Sequence, residues 1–277
     1  MLRTRVITAV FLFAAFLSAV FYLPPLGWSL FAASVATIAA WEWGALMRFG
    51  RAKRLLLGVA FLGLCLLLDV LFPQALGLAA GFDEAAWPLA LWFYLPAVLF
   101  WCGLVPFWLA RRWPLPAGLP GLLVGVVVIL PTWLALVQLR QLGAPALLAI
   151  MALVWLADIA AYFSGRRFGR HKLAPQISPG KTWEGAAGAV VAVLAYGLAL
   201  SSKMPPALGA RLVLLGAVMV GLTAISIVGD LFESHLKRQA GLKDSSNILP
   251  GHGGVLDRID SLTSTLPLVA CVWLATS

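Results

Sequence analysis

Long apolar runs separated by short polar or basic turns recur along the whole chain. A run of about 20 apolar residues is long enough to cross the hydrocarbon core of a bilayer as an α-helix. The pattern predicts about nine such helices, at roughly 6–22, 26–46, 55–72, 88–110, 119–138, 144–164, 185–201, 207–230 and 262–276. The predicted fold class is therefore all-α, a polytopic bundle of transmembrane helices.

The composition agrees with this pattern. Hydrophobic residues make up 62% of the 277 residues and charged residues only 11%, whereas about a quarter of a soluble domain is charged. The three cysteines, Cys65, Cys102 and Cys271, are far apart and lie in apolar segments. Neither a disulfide framework nor a zinc site is indicated, and we predict an integral membrane protein.

The net charge of +9 comes from short basic clusters between the apolar runs. If the N-terminus is cytoplasmic, nearly all of these clusters face the cytoplasm, and only Arg140, Lys203 and Arg211 do not. This asymmetry follows the positive-inside rule, and it explains the charge better than nucleic-acid binding does. The loop carrying Asp83 and Glu84 is then an outer loop.

Ionisable groups inside the spans are concentrated in the second half of the chain. We therefore predict that residues 1–150 are mainly scaffold helices and that residues 151–277 form a catalytic region with a polar site on the cytoplasmic side.

The stretch from Gly229 to Ser261 is the most polar part of the sequence. It contains five of the 11 acidic residues of the chain, together with four basic ones: Asp230, Glu233, Asp244, Asp257, Asp260, Lys237, Arg238, Lys243 and Arg258. Two groups within it have helical spacing, one from Asp230 to Lys237 and one from Asp257 to Ser261, so each group shares one helix face. A glycine-rich turn at 250–254 separates them, and the two acidic faces can meet.

Carboxylates gathered beside lysines suit a hard cation that in turn binds phosphate oxygens. A solvated loop with surface ion pairs is the simpler alternative for such a run of charges. The membrane context makes that alternative weaker.

A second polar constellation runs from Trp155 to Gly185. Asp158 lies inside a predicted span, where a charged group costs about 2.5–3.5 kcal/mol, so it marks either a functional site or a buried pair with an arginine. Asp158, Tyr162 and Gly165 form a polar stripe that leads to Arg166.

The segment from Ser178 to Thr182 offers two hydroxyls and Lys181 around a Pro-Gly turn, which suits an anion. It lacks the GxxxxGK[ST] spacing, so a P-loop is rejected. The histidines His171, His235 and His252 match no metal motif and are interpreted as phosphate contacts or as neighbours of the site.

Four motifs in this order resemble the phosphatidate cytidylyltransferase family, also called CDP-diacylglycerol synthases. They are AAWEWGALM from Ala39, DIAAY from Asp158, SPGKTWEG from Ser178, and the long motif from Gly229 to Ser261 that ends in PGHGGVLDRIDS. The last motif is highly specific to the family. The remaining spans resemble those of the family only in their general character.

The resemblance implies an enzyme that converts CTP and phosphatidic acid to CDP-diacylglycerol and pyrophosphate. It also implies Mg²⁺, a helper monovalent cation such as K⁺, a homodimer, and a bacterial-type inner membrane with the active site toward the cytoplasm. A phosphate monoester is already anionic at neutral pH, so positioning and charge neutralisation suffice for such a transfer.

The resemblance and the residue chemistry described above together predict three sets of residues. The catalytic set is Asp230, Asp257, Lys237 and Arg258. The metal set is Asp230, Asp257, Ser234 and Asp260. The substrate-binding set is Asp158, Arg166, Ser178, Lys181, Thr182, Arg238, Lys243, His252, Gly253 and Gly254.

Two alternatives remain open at this point. An ion-coupled transporter would also place acids within its spans, but it leaves the clustered lysines, arginines and glycines unexplained. A related lipid-phosphate nucleotidyltransferase could use another nucleotide or a polyprenyl phosphate.

Overall fold

The computed structural model describes residues 2–79, 86–87 and 90–276. Asp83 and Glu84, which were predicted to lie in an outer loop, are outside the described residues. The described part is a bundle of helices with one small sheet between two of them.

The helices and strands follow one another in a simple order. They are α1 (Leu2–Tyr22), α2 (Pro25–Leu46), α3 (Arg51–Leu71), α4 (Leu91–Leu99), α5 (Val105–Arg111), α6 (Leu119–Gln141), α7 (Ala144–Phe168), β1 (Lys172–Ala174), β2 (Ser178–Thr182), α8 (Trp183–Leu200), α9 (Pro206–Gly209), α10 (Leu212–Ala240) and α11 (Leu256–Thr276). A π-helical turn, Phe100–Leu104, joins α4 to α5, and a 3₁₀ turn, Ser201–Lys203, follows α8.

Eight helical segments of the described residues are long and apolar enough to cross a membrane, with α4 to α5 counted as one segment. The shorter apolar helix Val6–Tyr22 lies within α1. The predicted fold class, a polytopic helical bundle, is confirmed, and the protein is an integral membrane protein.

Two helices extend further than the apolar pattern predicts. α10 continues from residue 230 to Ala240, and it ends where Gly241 adopts a left-handed conformation with φ +77°, a common helix terminator. α11 begins at Leu256 rather than at 262. A prediction from hydropathy stops each span at its first charged residue, whereas the backbone stays helical beyond that residue. The charged groups from Asp230 to Lys237 and from Asp257 to Ser261 therefore lie on long helices.

A small antiparallel hairpin of β1 and β2 was not predicted. Lys172 pairs with Thr182, and Ala174 pairs with Ser178. The Thr182 hydroxyl also accepts a hydrogen bond of 3.1 Å from the Gly185 amide, so β2 leads directly into the capped start of α8. Strands this short carry no readable alternation of polar and apolar positions.

α10 and α11 approach each other closely at Gly229. A Cβ atom at this position would lie 2.9 Å from the Asp260 carbonyl oxygen and would collide with the Ser264 hydroxyl. The absence of a side chain therefore lets the two charged helices pack backbone against backbone, just where their acidic residues begin.

Candidate active site

A cavity of about 530 Å³ opens between α7, the hairpin, α8 and α10. Charged side chains of both signs line it, namely Asp158, Arg166, Lys172, Lys181 and Asp230. The hydroxyl-bearing residues Tyr162, Ser178 and Thr182 line it as well. A concave site with a few convergent polar groups is the usual form of a ligand pocket.

Lys181 and Asp230 join the two sequence motifs across this cavity. The Lys181 Nζ lies 2.5 Å from the Asp230 Oδ2, and their side chains are 23% and 29% exposed. The other Asp230 oxygen accepts a hydrogen bond of 3.2 Å from the Ser234 hydroxyl. We call Lys181 and Asp230 the cavity pair.

Asp158 lines the same cavity from α7 and is exposed to it. It interacts electrostatically with both members of the cavity pair, attractively with Lys181 and repulsively with Asp230. Among the ion pairs of the described residues, none joins Asp158 to an arginine. The arrangement favours the functional interpretation of this intramembrane acid over a buried arginine pair.

A second charged group lies between α10 and α11. The Lys237 Nζ donates to the Glu233 Oε2 at 2.8 Å and to the Asp257 Oδ1 at 2.5 Å. The three side chains are only 11%, 5% and 4% exposed. The predicted meeting of two acidic faces across the glycine-rich turn is confirmed, and Lys237 is the charge that holds them. We call these three residues the buried triad.

Asp260 connects the cavity pair to the buried triad electrostatically. It lies close enough to Asp230 and Asp158 to be repelled by both, and it is attracted to Lys237. The Glu233 Oε1 and the Ser261 hydroxyl are buried in the same region, and neither has a hydrogen-bond partner among the described residues. Carboxyl groups outnumber lysines in this region.

The second oxygen of Asp257 is held entirely by the preceding loop. It accepts hydrogen bonds from the Ser245 amide at 2.8 Å and from the Gly254 amide at 2.7 Å. The Ser245 hydroxyl lies 2.9 Å from the same oxygen. The anion that the Gly254 amide approaches in this structure is therefore the carboxylate of Asp257.

Glu42, in α2, is a site residue that sequence reasoning missed. Its carboxylate is fully buried and accepts hydrogen bonds from the Ser246 hydroxyl and the Leu256 amide, both at 2.6 Å. A glutamate inside an apolar span, in the AAWEWGALM motif, was the available signal.

Several predicted residues lie apart from both charged groups. Arg238, Lys243 and Arg258 are exposed and make no side-chain ion pair among the described residues. The His252 Nδ1 lies 3.4 Å from the Pro250 carbonyl oxygen. None of the four is among the described residues that line the cavity, so their proposed substrate contacts stay predictions.

The other two histidines contact the protein itself. The His171 Nδ1 lies 2.6 Å from the Glu184 Oε1, and the His171 amide donates to both Glu184 oxygens at 3.2 Å. This contact ties the start of the hairpin to the start of α8. The His235 Nε2 lies 3.0 Å from the Trp113 carbonyl oxygen, beneath the loop before α6.

Large aromatic side chains on the outside of the bundle belong to a residue that lines the cavity or to its neighbours along the chain. Tyr162, which lines it, is 58% exposed, and Phe163, Phe168 and Trp183 are 64%, 65% and 61% exposed. The Tyr162 hydroxyl accepts a hydrogen bond of 3.0 Å from Arg166. In a membrane protein, exposed apolar rings beside a charged cavity mark the boundary between lipid and the polar site.

Comparison with known proteins identifies the family of the chain. Residues 3–275 match the model of the cytidylyltransferase family, and the chain belongs to that family. It is 42% identical to the phosphatidate cytidylyltransferase of Pseudomonas aeruginosa, over 99% of this chain and 98% of that one. It is 37% identical to the phosphatidate cytidylyltransferase of Haemophilus influenzae, over 96% of each chain. The resemblance recognised in the sequence motifs is confirmed.

Proposed function

We propose that this chain transfers the cytidylyl group of CTP to phosphatidate and so forms CDP-diacylglycerol and pyrophosphate. Membership of the cytidylyltransferase family supports the reaction class, and two relatives matched over almost their whole length carry the name phosphatidate cytidylyltransferase. The observation that carries the proposal is the cavity itself, where the cationic hairpin meets intramembrane acids beside side chains that face lipid.

The chemistry needs little more than alignment and charge neutralisation. An anionic oxygen of the phosphatidate monoester attacks the α-phosphorus of CTP, a new P–O bond forms, and the bond to the β-phosphate oxygen breaks. Pyrophosphate leaves with the electron pair of that bond. No side chain has to remove a proton from the attacking oxygen, and no covalent enzyme intermediate is required.

The cationic side chains of the cavity would hold the phosphates during this transfer. Lys181 is 23% exposed, so its ammonium group can exchange the carboxylate of Asp230 for a phosphate oxygen without leaving the cavity. Arg166 would hold the lipid phosphate at the rim, where its hydrogen bond to Tyr162 already orients it.

The residues near the cavity also fit a magnesium ion. Asp230, Asp260 and Ser234 would supply oxygen ligands, and the buried Glu233 Oε1 has no hydrogen-bond partner among the described residues. Within the described part of the chain no three candidate ligands converge as a cage, and magnesium commonly binds one or two carboxylates, substrate phosphates and water. When bound, the ion would neutralise charge that develops on the triphosphate.

Asp257 was predicted to bind the metal, but its contacts in the structure suit that role less well. One of its oxygens accepts from Lys237, and the other accepts from two backbone amides. We therefore propose Asp230 and Asp260 as the main metal ligands and place Asp257 behind them, where it orients Lys237. The helper potassium ion and the homodimer stay predictions.

The location of the site suits both substrates. The positive-inside pattern supports an opening toward the cytoplasm, from which CTP would enter, in the inner membrane of a bacterium. Phosphatidate would enter from the lipid along the exposed rings next to Tyr162.

The test is a transfer assay on purified protein in detergent with Mg²⁺, phosphatidate and CTP labelled at the α-phosphate. We expect label in the lipid fraction in a 1:1 ratio to released pyrophosphate, and neither product when phosphatidate is omitted. Replacing CTP by UTP, and phosphatidate by a polyprenyl phosphate, tests the related nucleotidyltransferases. Folded protein that labels no lipid with CTP would contradict the proposal.

A further inference from the structure

Glu42 lies in the part of the chain predicted to be scaffold, yet its surroundings belong to the C-terminal motif. Its side chain is 0% exposed. The Oε1 accepts from the Ser246 hydroxyl at 2.6 Å and the Val255 amide at 3.0 Å. The Oε2 accepts from the Leu256 amide at 2.6 Å and lies 3.0 Å from the Ser245 hydroxyl. One carboxylate thus fastens both ends of the loop that precedes α11.

The amides at the start of a helix need acceptors from outside the helix, and a local Ser, Thr, Asp or Asn usually supplies one. At the start of α11 the preceding residues are Gly254 and Val255, which have no polar side chain. The remote carboxylate of Glu42 takes that place, and its negative charge also suits the positive end of the helix dipole.

The loop carries this constraint to the buried triad. The Ser245 hydroxyl lies 3.0 Å from Glu42 and 2.9 Å from the Asp257 Oδ2, and its single proton can be donated to only one of the two carboxylates at a time. The Ser245 amide donates to Asp257 as well. The direction of the Asp257 carboxylate toward Lys237 therefore depends on where Glu42 holds the loop.

Gly254 gives independent evidence for the tightness of this arrangement. A Cβ atom there would collide with the Ser245 hydroxyl and with the Glu42 carboxylate. Only glycine leaves room for the carboxylate, the hydroxyl and the loop backbone to meet.

We propose that Glu42 is a positioning residue for the transfer reaction. It fixes the loop from Ser245 to Leu256, and through that loop it aligns Asp257 and Lys237 with the cavity. This inference rests on the proposed function of the same site. It predicts a specific loss in the catalysed step rather than a loss of substrate binding, because Glu42 contacts neither Lys181 nor Arg166.

The first test is the kinetics of Glu42→Gln in the transfer assay. We expect kcat to fall by about 10²-fold, the size of effect that a displacement of about 1 Å produces, while the KM values for CTP and phosphatidate change less than about threefold. Asp69→Asn is the matched control. Asp69, on α3, is a second buried acid of the N-terminal part, and it is held by Ser29. Ser29 lies about 20 Å along α2 from Glu42. We expect its kcat to be unchanged.

Two further variants keep the test decisive if Glu42→Gln does not fold. Ser246→Ala removes one donor to Glu42, and we expect kcat to fall by about 2- to 10-fold, in line with one hydrogen bond. Gly254→Ala places a Cβ atom against the Glu42 carboxylate and the Ser245 hydroxyl, and we expect kcat to fall at least as far as in Ser246→Ala.

Backbone hydrogen exchange supplies a readout that does not need activity. In Glu42→Gln we expect faster exchange at residues 245–258 and unchanged exchange at residues 158–182. A parent protein without transfer activity would refute the proposed function. The exchange result would then show only whether Glu42 holds the loop in place. An active parent whose folded Glu42→Gln variant retains kcat within threefold, or shows unchanged exchange, would overturn this inference.

Discussion

The cavity pair and the buried triad are two lysine–carboxylate groups in different surroundings, and each has at least one member on α10. The cavity pair is a single contact between side chains that are about a quarter exposed. In the buried triad one lysine serves two carboxylates, and every member is at most 11% exposed. An exposed ion pair contributes little to stability and can open, whereas breaking a buried pair leaves an uncompensated charge. The first group is thus suited to exchange partners with a substrate, and the second is suited to fix geometry.

The largest expected effect comes from breaking the buried triad. Asp257→Asn removes one of the two charges that neutralise Lys237, and we expect turnover to be abolished. Because one partner of a buried pair is lost, we expect the free energy of unfolding to fall by about 3 kcal/mol. Transfer rates and thermal unfolding in detergent measure the two effects. Near-normal turnover at saturating Mg²⁺ would disprove a role of Asp257 in the reaction.

Asp230→Asn removes the carboxylate of the cavity pair. We expect a loss in rate of at least about 10²-fold and a higher Mg²⁺ concentration for half-maximal activity, because a charged oxygen ligand is lost. Stability should change by no more than about 1 kcal/mol. Magnesium titrations of the variant and the parent measure this, with Asp69→Asn as a matched control. An unchanged magnesium dependence would remove Asp230 from the metal site.

Lys181→Met tests the other side of the cavity pair. We expect kcat/KM for CTP to fall by about 10- to 100-fold, the equivalent of one charge-assisted hydrogen bond of about 1.5–3 kcal/mol. The melting temperature should hardly move. Lys203→Met, in the 3₁₀ turn after α8, is the control for loss of a lysine, and it should behave like the parent. Equal kinetics for both variants would show that Lys181 does not hold a phosphate.

The smallest expected effect is that of Tyr162→Phe, which deletes only the hydroxyl that orients Arg166. We expect the KM for phosphatidate to rise by about 2- to 5-fold with little change in the KM for CTP, because a single exposed hydrogen bond is lost. Lipid titrations in mixed micelles at fixed CTP measure this difference. A selective rise in the KM for CTP would instead place Arg166 on the nucleotide side of the cavity.

Much of this arrangement was readable from the sequence. The helical bundle followed from the length of the apolar runs, since a bilayer accepts few other backbone structures. The spacing of Asp230, Glu233 and Lys237 on one helix face, and of Asp257 and Asp260 on another, needed only the period of the α-helix. The intramembrane position of Asp158 marked a site because burying a charge in lipid is costly.

Only the tertiary structure decided which charges meet. Pairing of Lys181 with Asp230 and of Lys237 with Asp257 depends on how the hairpin and α11 pack against α10, and many other pairings were compatible with the same spacing. Glu42 shows this most clearly, because its partners Ser245 and Leu256 lie more than 200 positions away along the chain. The sequence determined the elements and their polar faces through local periodicity, and long-range packing selected the contacts between them.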